Sequence, residues 1–232
     1  MWRAGLILVL ALVACEDVES DAVLTSGMYA RLQVVADGGG TSQAIAVLKV
    51  GGATSNTYVE LTGDDALFAT TGEVEEEMVE EQLGDYHRYV ASFDSAVDDA
   101  EYVVAFERTV DEGAPDSAME LPTAFEIDTP AGTFSRAADI TLTWTPSGTA
   151  DNMDLYVDGD CILPYTRELE GDPGTLTIEA GTLLAVDDEA QASCDVTYTL
   201  DRWRAGTVDT AFGEGGDAAG HQQREVGVLT AP

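Results

Sequence analysis

Basic residues are scarce in this sequence. Ten lysine and arginine residues stand against 44 aspartate and glutamate residues, which gives a formal net charge of −34 at pH 7, and Lys49 is the one lysine. A surface this acidic repels nucleic acid and anionic lipid headgroups within the Debye length, about 8 Å at physiological salt. We therefore expect no nucleic-acid partner, and we interpret the charge as an adaptation to a salty environment.

Long hydrophobic runs and catalytic motifs are also missing. After residue 14 no segment has the roughly 18 consecutive apolar residues of a membrane-spanning helix. The sequence contains no HExxH, GxSxG, GxxxxGK[ST] or GxGxxG motif. Its two histidines are distant in sequence from any nucleophile motif: His87 is predicted on the outward face of a strand, and His221 follows a glycine-rich loop at 215–220. These absences favour a non-catalytic protein, with a secreted hydrolase as an alternative.

The first residues have the pattern of a secretory signal. Arg3 precedes an apolar run at 4–14, which is too short to span a bilayer and is typical of a signal peptide. The run ends in LVAC at 12–15, which resembles the lipobox of bacterial lipoproteins. The resemblance implies cleavage after residue 14, diacylglycerol on the Cys15 sulfur and acylation of the new amino terminus by a chain such as palmitate. The alternative is an ordinary secretory signal with a chance cysteine.

The position after the cysteine bears on localisation. Residues 15–26 are predicted to form a lipidated, hydrated tether, because acidic residues follow Cys15 directly. Lipoprotein sorting rules give most weight to aspartate at the position that Glu16 occupies, so we expect the outer membrane, with the protein periplasmic or surface-exposed. The expected partners are the lipid bilayer, through Cys15, and another envelope protein.

The remaining cysteines form an even pair. An oxidising compartment favours a disulfide between Cys161 and Cys194, which would close a loop of about 34 residues and stabilise the fold by about 3–4 kcal/mol. The alternatives are two reduced thiols or a metal site. A metal site is disfavoured because no histidine lies near either cysteine and neither belongs to a CxxC motif.

Short β-rich runs alternate with glycine, aspartate and asparagine turn signals from residue 27 onward, which predicts an all-β protein. Its length fits two sandwiches of about 100 residues each. We predict an N-terminal β-sandwich domain at 27–110, a linker at 111–121 and a C-terminal domain at 122–232. The glutamate-rich segment 73–83 departs from the strand pattern and predicts a short acidic helix or a solvated loop.

The second half resembles immunoglobulin-like and fibronectin type III sandwiches. The resemblance rests on ITLTWTP at 140–146, whose strict alternation predicts a buried Trp144, and on VTYTLDRWRAG at 196–206. It implies immunoglobulin-like β-sandwich domains in tandem. Within the second motif, we predict that Trp203 packs inward while the arginines on either side of it point outward to acidic neighbours. The alternative is an exposed Trp203 at a rare basic spot on the surface.

Calcium is the one metal worth considering. Four aspartates flank a single predicted strand and offer the hard oxygen ligands that Ca²⁺ prefers: Asp151, Asp154, Asp158 and Asp160. None of them has EF-hand spacing. The pattern favours acidic turns that bind no metal, so we expect no cofactor. The alternative is a Ca²⁺-dependent adhesion or assembly module.

Overall fold

The computed structural model describes residues 17–84, 86–128, 132–186 and 193–231. The predicted signal peptide 1–14 and Cys15 lie outside the described residues. Almost all of the described chain forms β-strands, joined by loops and by two short 3-10 turns at Ser20–Ala22 and Thr25–Gly27. The predicted all-β class is confirmed. In the described part of the chain, no helix has the length and apolarity needed to cross a membrane.

Eighteen strands are described, and they form three sheets. In chain order they are β1 (Val18–Glu19), β2 (Met28–Ala36), β3 (Ser42–Val50), β4 (Thr57–Glu60), β5 (Ala66–Thr71), β6 (Val74–Glu77), β7 (Val79–Leu83), β8 (Tyr86–Phe93), β9 (Glu101–Glu107), β10 (Ala114–Glu120), β11 (Glu126–Asp128), β12 (Phe134–Ser135), β13 (Ile140–Thr145), β14 (Asn152–Gly159), β15 (Tyr165–Leu169), β16 (Thr175–Ile178), β17 (Cys194–Ala205) and β18 (Gly216–Ala231).

The first hydrophobic core lies between two sheets. A four-stranded sheet in the order β10-β9-β5-β6 faces the part of the largest sheet that contains β2, β3 and β8. Apolar side chains alternate along these strands, as half-buried strands require. Among the buried members are Leu32 of β2 and Tyr102 and Phe106 of β9. Phe212, from the loop between β17 and β18, also belongs to this core.

The second core has immunoglobulin-like strand order. The strands β15-β14-β17-β18 form one face, β11-β13-β16 form the other, and β12 pairs in parallel with β18. This is the division into an A-B-E sheet and a C′-C-F-G sheet that defines such sandwiches. Ile140, Leu142 and Trp144 all point into this core from β13, as their alternation predicts. The core is covalently closed at one end by a disulfide between Cys161 and Cys194, which confirms the predicted pair.

The two cores share one continuous sheet. The sheet follows the path β1-β4-β3-β2-β18-β17-β14-β15 without a break. The 16-residue strand β18 makes this continuity possible, because its first half pairs in parallel with β2 and most of its length pairs antiparallel with β17. Backbone hydrogen bonds therefore join the two sandwiches. The division of the chain into two separate domains stays a prediction.

The segment 111–121 is not the predicted linker over most of its length. Ala114–Glu120 form β10, which pairs with β9, and the side chains of Ala114, Ser117 and Met119 are buried. Ala118 also exchanges two backbone hydrogen bonds with Thr207, of 2.8 and 2.9 Å. The proline and aspartate residues that suggested a linker lie at the irregular start of the strand, between its first pair and Ser117.

The glycine-rich stretch 215–220 is mostly strand rather than loop. A Cβ atom at Gly216 would lie 2.3 Å from the carbonyl oxygen of Ala30, and one at Gly220 would lie 2.0 Å from that of Glu120. Glycine is therefore required here by the close approach of other backbones. Glycine is therefore common to two different structures, a loop and a tightly packed strand, and its presence alone does not distinguish them.

Two other expectations differ from the structure. The segment 73–83 forms strands β6 and β7, which extend hairpins with β5 and β8, and only Met78 between them is buried. The predicted tether 15–26 is partly folded: Val18–Glu19 pair with β4, and Ser20 and Thr25 are buried. Any tether after Cys15 is therefore shorter than the acidic sequence suggested.

Candidate functional site

The outer face of the continuous sheet carries a pocket where the two sandwiches meet. Its floor is a cross-strand pair of small residues, Ala205 of β17 and Ala219 of β18. Larger side chains from β2, β14, β17 and β18 rise around this floor and enclose about 440 Å³. We call this the junction pocket; its polar and aromatic lining residues are Arg31, Gln33, Asp154, Tyr156, Asp201, Trp203, Asp217 and His221.

One side of the junction pocket is aromatic. Trp203 is half-buried, and its indole Nε1 donates a 2.9 Å hydrogen bond to Oδ2 of Asp154 on the neighbouring strand β14. Tyr156, two residues along the same face of β14, is 43% exposed. Because the hydrogen bond fixes the indole edge, the orientation of the Trp203 ring is set before any ligand arrives.

A chain of polar contacts runs from β17 across β18 to β2. His221 Nδ1 lies 2.9 Å from Asp201 Oδ2, and His221 Nε2 lies 3.3 Å from the Gln33 amide nitrogen. The neutral imidazole that donates from Nδ1 to Asp201 accepts from Gln33 at Nε2. Both imidazole nitrogens are thus occupied, and the position that a serine or cysteine nucleophile takes in a catalytic triad is filled by an amide.

The opposite side is formed by Arg31 and Asp217, which are register partners on β2 and β18. Both are exposed, and the hydroxyl group of Tyr29 donates a hydrogen bond to Asp217. The pocket is therefore lined by one guanidinium group and three carboxylates rather than by charge of one sign.

Two of the three carboxylates of the junction pocket, Asp154 and Asp201, are partly or fully buried. Asp154 and Asp201 are direct cross-strand partners. Burial raises the pKa of Asp154 above its usual value, and the neighbouring charge of Asp201 acts in the same direction. Asp201 is 3% exposed, and its Oδ1 atom is buried without a hydrogen-bond donor among the described residues. An orphaned buried acceptor is costly, and because less than 1 Å² of this oxygen is accessible, a donor reaches it only when the side chains around it shift.

The prediction for residues 202–204 is wrong for Arg202 and Trp203, whereas Arg204 meets acidic neighbours as predicted. Arg202 is fully buried and points into the junction between the two cores, whereas Trp203 lies on the outer face and Arg204 is partly exposed. Val196, Tyr198 and Leu200 share the inward parity of Arg202. The strand keeps its alternation, and the arginine is accommodated inside because it finds partners there.

Those partners form a buried network below the pocket. One terminal nitrogen of Arg202, Nη2, donates to Asp172 Oδ2 at 2.9 Å, and Trp144 Nε1 donates to Asp172 Oδ1 at 2.7 Å. The backbone N–H and hydroxyl of Thr149 donate to Asp172 as well, and the guanidinium lies 4.7 Å from the Phe125 ring centroid. Burial opposes ionisation of Asp172, but these hydrogen bonds and the Arg202 charge together hold its pKa below the usual value.

Arg204 joins the two sandwiches at the surface. Its Nε lies 2.7 Å from Asp151 Oδ1, its Nη1 lies 3.1 Å from Asp99 Oδ1, and it also pairs with Glu120. Asp151 belongs to the second sandwich, and the other two acids belong to the first. Hydrogen bonding to Asp151 raises the pKa of Arg204 above its usual value. The strand that forms part of the pocket floor is thus held by the Arg202 network on its inner face and by the Arg204 ion pairs at its end.

The proposed calcium ligands do not come together. Asp151 pairs with Arg204 at the start of β14, Asp154 lies in the junction pocket, and the exposed Asp158 and Asp160 lie at the opposite end of the strand. Among the described residues there is no group of three or more histidine, cysteine or acidic side chains arranged to hold a metal ion. In the described part of the chain, the calcium site that was the alternative is not formed at either end of the strand.

His87 is buried rather than outward-facing. Its Nδ1 lies 2.6 Å from Glu80 Oε1, and its Nε2 lies 3.2 Å from Asp17 Oδ2. It therefore fixes the start of the described chain against the edge of β8, and it lines none of the pockets at the junction. Its role is structural.

Comparisons with known proteins give matches among solved structures but none among sequences. No protein-family model and no curated protein sequence matches the chain. Among solved structures, it is similar to the Yersinia pseudotuberculosis adhesin InvE, with 13% identity over 89% of this chain and 59% of that chain and a TM-score of 0.24. It is also similar to a two-domain fibronectin type III segment of chicken tenascin, with 12% identity over 87% of this chain and 97% of that chain and a TM-score of 0.26. Red sea bream transglutaminase has 10% identity over 88% of this chain and 31% of that chain, with a TM-score of 0.27.

These superpositions are too loose to carry an argument about function, and the chain spans about three fifths of the adhesin's length. The fold class rests on the strand pairing in the chain itself. That pairing defines an all-β protein with two cores that share one sheet, the second core with immunoglobulin-like strand order, and the shared sheet bears a polar and aromatic pocket.

Proposed function

We propose that this protein is a lipid-anchored component of the bacterial cell envelope that binds a ligand without converting it chemically. The observation that carries the binding role is the junction pocket. It combines ordered aromatic and polar side chains on a hydrogen-bonded sheet, as ligand sites on rigid elements do. The histidine in the pocket is engaged on both nitrogens by Asp201 and Gln33, which supports binding rather than nucleophilic catalysis.

The extracytoplasmic location is supported by two features of the chain. The lipobox-like LVAC at 12–15 provides a lipidation site at Cys15, and a disulfide forms between Cys161 and Cys194. Structural disulfides persist in oxidising compartments such as the periplasm. With a net charge of −34, the protein surface itself repels anionic headgroups, so acyl chains provide the membrane attachment. We place the anchor in the outer membrane, with another envelope protein as a candidate partner.

Replacing Cys15 by serine is expected to release the protein from the membrane. In a Gram-negative host, the wild-type chain should sediment with membranes, partition into detergent, incorporate labelled palmitate and lack residues 1–14 by intact mass. Cys15→Ser should lose the label and appear in the soluble fraction, because the acyl chains supply about 0.8 kcal/mol per buried methylene.

A matched control removes cysteines that carry no lipid. Cys161→Ser combined with Cys194→Ser should stay in the membrane fraction and keep the palmitate label. The anchoring proposal fails if Cys15→Ser fractionates like the wild type, or if the mature wild-type chain still begins with Met1.

A further inference from the structure

We propose that the junction pocket binds a neutral carbohydrate, with the Trp203 ring stacked against a sugar ring. This inference rests on the proposed binding function and specifies its ligand class. It is carried by three observations on the described residues: the mixture of donors and acceptors, the orphaned oxygen of Asp201, and the aromatic side of the pocket.

The donors and acceptors of the junction pocket match hydroxyl groups. Arg31 and Gln33 carry N–H donors, while Asp154, Asp201 and Asp217 carry carboxylate oxygens. A sugar hydroxyl donates one hydrogen bond and accepts others, so neighbouring hydroxyls on a ring use both kinds of group at once. An anion would meet three carboxylates, and a cation would meet the Arg31 guanidinium as well as those carboxylates and would leave the N–H donors unused. An uncharged polyhydroxylated ligand meets no like charge.

The unpartnered Oδ1 atom of Asp201 indicates that a donor is missing. The other oxygen of this carboxylate accepts from His221, and the residue is 3% exposed while lining the pocket. Buried polar atoms without partners are uncommon in folded proteins, and of the five among the described residues this is the one whose residue lines the junction pocket. A ligand hydroxyl group supplies the missing donor without introducing a second charge.

The aromatic side fits the apolar C–H face of a sugar ring. Trp203 is oriented by its hydrogen bond to Asp154, and Tyr156 is exposed beside it. Aromatic rings with a polar edge bury apolar surface while their polar atoms keep hydrogen bonds. The small residues Ala205 and Ala219 leave room between the larger side chains, and the volume of this open pocket, about 440 Å³, lies within the range of about 300–1,000 Å³ for small-ligand pockets.

Isothermal titration of the full-length protein tests this inference. The protein is held in a detergent without a sugar headgroup, so that the detergent does not compete. The probes are three neutral hexasaccharides (maltohexaose, cellohexaose and chitohexaose), with spermidine as the cationic probe and hexagalacturonate as the anionic one. We expect at least one neutral hexasaccharide to bind, and neither charged probe to bind more tightly.

Two variants that add the same side chain locate the site. Ala219→Leu fills the floor of the junction pocket and should weaken hexasaccharide binding at least about tenfold. Gly227→Leu adds leucine on the outer face of the same strand, where a Cβ meets nothing within 4 Å, and should bind like the wild type. Trp203→Ala should also weaken binding, and far-UV circular dichroism confirms that each variant is folded.

The outcomes separate this inference from the proposed function. Binding of spermidine or hexagalacturonate alone, abolished by Ala219→Leu, would overturn the carbohydrate assignment and leave a binding role intact. Binding of a hexasaccharide unaffected by Ala219→Leu and Trp203→Ala would overturn the assignment to the junction pocket. If folded wild-type protein binds none of the neutral probes, the inference is wrong. Relocation of Cys15→Ser reports separately on the membrane anchor.

Discussion

Asp172→Asn is expected to lower the free energy of unfolding by about 3–5 kcal/mol, because it leaves the buried guanidinium of Arg202 without a counter-charge. The change preserves the shape of the side chain, so the loss reports on charge and hydrogen bonding rather than on a cavity. Chemical denaturation followed by circular dichroism measures the effect. The midpoint should fall well below that of the wild type.

The matched control makes the same replacement in an exposed pair. Glu81→Gln disrupts the 2.7 Å contact with Arg88, where both side chains are partly exposed, and should cost less than about 1 kcal/mol. Equal effects of Asp172→Asn and Glu81→Gln would mean that the Arg202 network contributes little to stability.

The same network predicts a dependence on pH. The pKa of Asp172 is lower in the folded state than its usual value. Its contribution to stability is therefore fully present above the pKa of the unfolded chain, about 3.9, and is lost as the pH falls through the lower folded-state pKa. The stability difference between the wild type and Asp172→Asn should accordingly shrink in strong acid and remain constant near neutrality.

Arg108→Met is the second substitution with a large expected effect, again about 3–5 kcal/mol. Arg108 Nε donates to Asp65 Oδ2 at 3.0 Å, and both side chains are buried. The guanidinium also donates to the backbone carbonyl groups of Ser20 and Val23. Its removal leaves a buried carboxylate unpaired and frees the segment that follows the predicted lipid anchor. Denaturation midpoints measure the loss, and limited proteolysis should show faster cleavage near residues 17–25.

A double variant separates the unpaired charge from the other contacts. Adding Asp65→Asn to Arg108→Met removes the buried charge and should restore part of the lost stability, since paired replacements in a network are not additive. The interpretation fails if Asp65→Asn lowers the free energy of unfolding of Arg108→Met by as much as it lowers that of the wild type.

Part of the fold followed from the sequence by simple periodicity. The alternation of Ile140, Leu142 and Trp144 placed β13 correctly, and counting cysteines identified the disulfide. The same reasoning was available for β17. The inward series Val196, Tyr198 and Leu200 continues at Arg202, which places Trp203 outside. Side-chain hydrophobicity alone places Trp203 inside, whereas strand parity places it on the aromatic side of the candidate site.

The rest depended on contacts between residues far apart in the chain. His221 meets Gln33 only because β18 pairs in parallel with β2, across a separation of 188 residues. Gly216 and Gly220 signalled a loop, although they permit the close backbone contacts that build the shared sheet. Local propensity does not distinguish these cases, so the junction pocket was not predictable from the sequence.

The central claim is that one sheet joins both sandwiches and thereby holds the junction pocket together. Hydrogen exchange of the full-length protein, followed by mass spectrometry of peptides at increasing denaturant concentration, tests it most directly. Peptides from β2 and from β14 should lose protection at the same denaturant concentration, as one cooperative unit does. Loss of protection in β14 while β2 and the first half of β18 stay protected would show that the sandwiches open independently, and would contradict the account.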